Sequence, residues 1–146
     1  MKLIRILALA LLAAAVIAPA AMPEQSASRA TLMVHTSRYG KVLFDGRGFV
    51  LYAFTRDHRR SACYGACTKA WPPYFAPRGR LSVDAGAKRS LLGTVRRRDG
   101  RRQVTYAGRP LYYYVGDRSP GQILCQNVVE YGGTWLIVRP SGRLVR

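Results

Sequence analysis

Gly40, Tyr52, Phe54 and Asp57 recur 60 residues later as Gly100, Tyr112, Tyr114 and Asp117. A fixed-offset repeat constrains a chain of this size more than any other feature, because two copies of one unit must settle into a single packing scheme. The surroundings correspond as well: Leu51-Tyr52-Ala53-Phe54 stands against Leu111-Tyr112-Tyr113-Tyr114. The copies are not gapless, since Asp45-Gly46 and Ala107-Gly108 fall out of step by two residues. The pattern therefore predicts two divergent, hairpin-bearing units, about Thr31–Pro77 and Ser90–Val138. They close one shared core with a pseudo-twofold relation, and Arg78–Arg89 connects them.

Within this frame the chain reads as short strands. Thr31–Thr36, Lys41–Phe44, Phe49–Phe54, Leu91–Arg97, Arg102–Tyr106, Arg109–Val115, Thr134–Val138 and Arg143–Val145 are rich in Val, Leu, Tyr and Phe. Such residues suit a pleated, half-buried surface. Asp45-Gly46, Asp99-Gly100, Ala107-Gly108, Gly132-Gly133 and Ser141-Gly142 punctuate the runs. Asp-Gly between strand-like segments signals a tight hairpin, because both turn positions need positive φ. No segment carries a sustained helical stripe. Tyr64–Trp71 allows one short helix, which Pro72-Pro73 then stops. The expected fold class is all-β: antiparallel hairpins in one domain over 31–146, with at most one short helix near 64–71.

The repeated motif has a direct structural reading. Tyr52 and Phe54 are two apart on a strand and project to one face, as do Tyr112 and Tyr114. Asp57 and Asp117 fall where the chain must turn. The aromatics then fill the core, and each carboxylate accepts backbone N–H bonds in an Asx-type turn. The functional alternative makes Asp57 and Asp117 a symmetric pair for cation binding or acid–base work. The building role is the expectation, because a motif present in both halves more often builds than catalyses.

The N-terminus reads as an export signal. Lys2 and Arg5 precede an apolar run from Ile6 to Ala18, and Ala18-Pro19-Ala20 offers small residues at the positions a signal peptidase reads. A membrane-spanning helix needs about 20 apolar residues, and Pro19 and Glu24 stop this run short. The expected layout is a signal peptide over 1–20, a flexible linker over 21–30, and a mature domain without a transmembrane span. No cysteine lies near the cleavage site, the first being Cys63, so a lipid-bearing N-terminal cysteine is not expected. Secretion or a periplasmic location follows.

Charge bears on partners. The chain holds 24 Lys and Arg against 7 Asp and Glu. Such an excess favours an anionic envelope surface or polymer, or else reflects an arginine-rich but merely solvated face. Tyr106, Tyr112, Tyr113 and Tyr114 among Arg101, Arg102, Arg109 and Arg118 resemble a stacking surface for nucleic acid or glycans. Export argues against nucleic acid as the physiological target. Conventional enzyme sites are thin: His35 and His58 are the two histidines, and no Ser/His/Asp set, phosphate loop or HExxH segment is present. A non-enzymatic binding or structural role is the leading reading. The ligand and oligomeric state are not fixed by sequence.

Three cysteines remain: Cys63, Cys67 and Cys125. Outside the cytosol, neighbouring cysteines most simply form a disulfide, and the residues alone do not choose the pairing. The alternative is a soft-metal or redox site in which two thiolates of the C-x₃-C segment and the His58 imidazole hold copper or zinc. No cofactor is otherwise expected.

Taken together, YAFTRD (Tyr52–Asp57), YYYVGD (Tyr112–Asp117), SACYGACTKAWPP (Ser61–Pro73), the stretch Leu91–Asp117 and the closing GGTW (Gly132–Trp135) carry a resemblance. The chain resembles the bacterial secreted-repeat family, described as predicted lipoproteins with a Tyr-x-(Phe/Trp/Tyr)-x-x-Asp motif. The resemblance implies an exported, repeat-built envelope domain whose molecular activity is unassigned. It also favours a Cys63–Cys67 disulfide. Cys125-Gln126-Asn127 stands where the family pattern looks like Gly-Gln-Gly, which makes Cys125 an addition and a free-thiol candidate.

Overall fold

A computed structural model describes residues 31–146. The signal peptide read over 1–20 and the linker over 21–30 lie outside the described residues. Eight short strands, one helix and one 3-10 turn follow in order: β1 (Leu32–Ser37), β2 (Gly40–Asp45), β3 (Tyr52–Phe54), α1 (Ala66–Ala70), the 3-10 turn Arg89–Leu91, β4 (Leu92–Arg96), β5 (Arg102–Tyr106), β6 (Arg109–Pro110), β7 (Val128–Glu130) and β8 (Gly133–Ile137). They form three antiparallel sheets in the orders β1-β2, β3-β8-β7 and β4-β5-β6. The all-β expectation holds, and α1 lies inside the segment read as the one short helix. Trp71 follows α1 directly, and Pro72-Pro73 prevents its extension.

Several strands are shorter than their apolar runs. Phe49–Leu51 curls back onto β2, with Val50 bridging Phe44 and Leu51 N–H bonding Leu43 O at 3.1 Å, so β3 begins only at Tyr52. Beyond Leu111, whose N–H still bonds Val104 O at 3.0 Å, the chain leaves β5, and Tyr112, Tyr113 and Val115 pair elsewhere. Arg143–Val145 touches its neighbour through a single bridge, Val138 to Leu144. Strand β7 has no alternating pattern to announce it, because it is an edge strand with Val129 74% exposed.

The β7–β8 turn also differs from expectation. Its two loop residues are Tyr131 and Gly132, both at positive φ (54° and 77°), rather than Gly132-Gly133. Gly133 already belongs to β8, where a Cβ would lie 2.6 Å from the Phe54 ring. The pair of glycines thus serves two needs, one for backbone conformation and one for space.

The two units are interleaved. Strand β3 of the first pairs with β8 of the second, Tyr52 opposite Ile137 and Phe54 opposite Trp135. In return, Tyr113 N–H bonds Pro72 O at 2.8 Å and Val115 N–H bonds Ala70 O at 2.9 Å. Each unit therefore supplies the segment that completes the other. Where the copies meet, Tyr52 and Tyr112 exchange both backbone hydrogen bonds, each 2.9 Å.

Packing follows the period of two. Val42, Phe44, Tyr52 and Phe54 point into one apolar cluster with Trp71, Trp135, Tyr112 and Ile137. Leu43, Leu51 and Ala53 point into a second cluster with Leu92, Val104, Leu111 and Val138. Both clusters draw on both units, and the strands between them are buried on both faces. Burial of this kind is what fixes register, since a one-residue slip would exchange the two clusters.

Candidate functional site

Four rings form the centre of the first cluster. Phe54 stacks on Trp135 at 4.1 Å, Trp135 on Trp71 at 4.0 Å, and Trp71 leans on Tyr114 at 4.9 Å. Tyr52 meets Trp71 edge-on at 5.3 Å, and Tyr112 meets Trp135 in the same way at 5.1 Å. The arrangement is two-fold in character: each motif aromatic contacts a tryptophan, one from each unit. Each aromatic pair adds about 0.5–1.5 kcal/mol beyond its buried area. Trp71 and Trp135 are the chain's two tryptophans and stand 64 residues apart, so a search at the 60-residue offset misses their equivalence. The signal was present in the two closing segments, KAWPP and GGTW.

The motif acids are buried, each 8% exposed. Asp57 N–H bonds Phe54 O and Asp117 N–H bonds Tyr114 O, closing matching backbone turns. The carboxylates reach farther than an Asx turn. Asp57 Oδ1 accepts Ala62 N–H at 2.7 Å, and Asp117 Oδ1 accepts Leu124 N–H at 2.9 Å. Each thereby ties the far end of its own loop.

Their second oxygens face the opposite unit's tyrosine. Tyr52 donates its hydroxyl to Asp117 Oδ2 at 2.7 Å. The mirror pair, Tyr112 Oη and Asp57 Oδ2, is buried with neither atom hydrogen-bonded. Burial pushes Asp57 up to about 6, opposed by Ala62 N–H and the Arg97 charge. Asp117 is raised for the same leading reason, opposed by Tyr52 and Leu124 N–H. The two tyrosines are shifted well above the ordinary phenol range, chiefly by burial, and both stay protonated.

Beside Asp57 lies a polar network that the sequence did not announce. Arg97 is 4% exposed, donates to Gln103 Oε1 and to Cys63 O, each at 2.7 Å, and lies 4.4 Å from the Tyr64 ring centre. Gln103 is fully buried; it also accepts from Ser61 Oγ at 2.6 Å and donates to Leu111 O at 2.7 Å. Triple arginine at 96–98 reads as a solvated hairpin end, and nothing in the pattern marks the middle residue as internal.

Cys63 and Cys67 are joined as a disulfide, Cα to Cα 5.4 Å, and both are buried against Trp71. Cys125 is a free, half-buried cysteine packed against the same cluster. Burial raises its thiol, and the Tyr114 hydroxyl opposes that shift. His58 is exposed next to Asp57. With both sulfurs in a disulfide, the copper or zinc reading of Cys63, Cys67 and His58 applies only to a reduced form. Among the described residues, no group of three or more His, Cys, Asp or Glu converges as a metal cage. His35 is exposed on β1, edge-on to Phe44.

A family model described as a secreted repeat of unknown function matches the chain twice, over residues 33–74 and 93–139. Each match begins in a first hairpin strand and runs past a tryptophan of the central stack. No curated protein and no solved structure shows a match to the chain.

Proposed function

Because the chain belongs to the family of secreted repeats of unknown function, we propose that it is an exported envelope domain that binds anionic partners through a basic surface and performs no catalysis. The observation that carries this reading is the unequal fate of the charges. Residues 31–146 contain 21 Lys and Arg but six Asp and Glu. All six acids accept hydrogen bonds inside the protein: Asp45 from Arg47, Phe49 and Tyr113, Asp57 from Ala62, Asp84 from Val34 and Gly86, Asp99 from Arg101, Asp117 from Leu124 and Tyr52, and Glu130 from the Trp71 indole. Only Arg47 and Arg101 contact a carboxylate within 4.0 Å among the described residues. The remaining cations face water or neutral groups. A surface of that kind attracts polyanions over a Debye length of about 8–10 Å at physiological salt.

The matching geometry of Asp57 and Asp117 supports a building role for the motif rather than paired acid–base work, since each carboxylate caps its own loop. In the test, the mature protein is mixed with vesicles containing phosphatidylglycerol and with a soluble polyanion at low and high salt. Binding that falls steeply as salt rises is expected. Binding that is absent at low salt, or indifferent to salt, overturns the proposal.

A further inference from the structure

The Asp57 loop and the end of the β4–β5 hairpin enclose a cleft of about 500 Å³, lined by Arg60, Ser61, Tyr64 and Val95–Arg98. Four of these residues are arginines, and no acid lines the cleft. Arg97 is the buried one. Its Nε has no hydrogen-bond partner, and its other nitrogens meet the neutral oxygens of Gln103 and Cys63. Among the described residues, no carboxylate oxygen lies within 4.0 Å of its guanidinium. Arg98, on the rim, holds its guanidinium 4.7 Å from the centre of the same Tyr64 ring that carries Arg97. Like charges gathered on one ring repel, and Arg97 has no carboxylate in direct contact, Asp57 acting on it only from beyond 4.0 Å. An anion in the cleft would relieve both.

The fold does not require these arginines. The equivalent arrangement sets the first unit's hairpin residues Thr36, Ser37 and Arg38 against the second unit's loop, where Pro120 matches Arg60. The equivalent hairpin there closes on its loop with a single contact of the same kind, Arg38 Nη2 to Ile123 O at 2.9 Å. The cluster is therefore not an attribute of the repeat, and it differs from the four-arginine cleft of Arg109, Arg139, Arg143 and Arg146 in holding an almost fully buried arginine, Arg97.

We propose that the cleft formed by Arg60, Tyr64, Arg96, Arg97 and Arg98 is a phosphate-binding site. Several guanidiniums lining one cleft match a tetrahedral oxyanion, which offers at least two charge-bearing oxygens to separate forks. A lone carboxylate is satisfied by a single arginine. This site rests on the anionic-partner reading and deepens it by naming the group recognised. The shared chemistry is the phosphate, whether free, in a soluble phosphodiester polymer or in a lipid headgroup.

The test uses the mature protein and three probes: inorganic phosphate, a soluble polyglycerol phosphate, and phosphatidylglycerol vesicles. Calorimetry at low salt is expected to show one phosphate per chain. The double variant R60Q/R98Q, both positions exposed, should melt at or above the wild-type temperature without phosphate yet bind it roughly tenfold or more weakly. The control is R143Q/R146Q, which removes two arginines from another arginine-lined cleft, built with Arg109 and Arg139. It should retain phosphate affinity.

Phosphate binding alone assigns the free ion. Parallel loss of polymer or vesicle binding in R60Q/R98Q, but not in the control, assigns that source. No saturable phosphate binding, or equal weakening in both variants, overturns the site. The broader charge reading survives that result if wild-type protein still binds vesicles in a salt-sensitive way, and it falls separately if it does not.

Discussion

The Tyr52 hydroxyl donates to Asp117 Oδ2 at 2.7 Å across the junction of the two units. The bond is buried and runs to a carboxylate, so its loss costs about 1.5–3 kcal/mol. Tyr52→Phe should lower stability by that amount, and Asp117→Ala by somewhat more, since Leu124 N–H also loses its acceptor. The double variant should fall short of the sum by about 1 kcal/mol or more. Tyr112→Phe gives the contrast: its hydroxyl is buried without a partner, and removing it should cost less than Tyr52→Phe. Urea midpoints of the four variants check this. Additive losses, or equal losses from the two Tyr→Phe changes, would contradict the asymmetry.

Asp57 yields a pH dependence of definite sign. Burial lifts its folded pKa from 3.8 to about 6. The folded protein therefore binds a proton more tightly than the unfolded chain between those values. The destabilisation from its buried charge is fully present above pH 6 and is relieved as pH falls towards 4. Between pH 7.5 and 4.5, wild type should gain about 2 kcal/mol relative to Asp57→Asn. The amide keeps an oxygen for Ala62 N–H, so the comparison isolates the titration. Parallel stability curves for the two proteins would show that Asp57 titrates normally.

Gly133 offers a steric test of the ring stack. An added Cβ would sit 2.6 Å from Phe54 and 2.8 Å from the Arg56 side chain. Arg56 is exposed and can move, whereas Phe54 is held against Trp135. Gly133→Ala should cost about 1–3 kcal/mol by overpacking and change the near-ultraviolet circular dichroism of the tryptophans. Unchanged melting and an unchanged aromatic spectrum would mean that the stack has slack.

Fold class was legible because it rests on local signals. Alternating runs, positive-φ turn pairs and the repeat all act within a few residues of themselves. Exchange between the units was not legible, because β3 and β8 are more than 75 residues apart and many antiparallel partners would satisfy β3 equally well. Equivalence of the two tryptophans was hidden by the shift from a 60- to a 64-residue offset. Arg97 was hidden for another reason. Its burial depends on Gln103 and the Cys63 carbonyl being brought to it, and no arginine advertises such partners in sequence. Asp57 and Asp117 lie at backbone turns, but their bonds to Ala62 and Leu124 and the tie of Asp117 to Tyr52 are tertiary.

Interleaving carries its own prediction. Each unit leaves one central tryptophan and one closing segment in the hands of the other, so neither can bury its motif aromatics alone. A cut between the half-buried Ala87 and the exposed Lys88 falls in the connector and separates them. Fragment 31–87 keeps β1–β3, Trp71 and the Cys63–Cys67 disulfide but loses β8 and Trp135. Fragment 88–146 keeps Trp135 but loses the strand β3 that β8 pairs with. Domains this small are marginal even when intact. Each fragment should therefore lack a cooperative melt and a tryptophan near-ultraviolet signal. Mixing equimolar fragments should restore both in a concentration-dependent way. If either fragment melts cooperatively alone, its core is self-sufficient, and Tyr52 and Tyr112 join two independent units instead of halves of one.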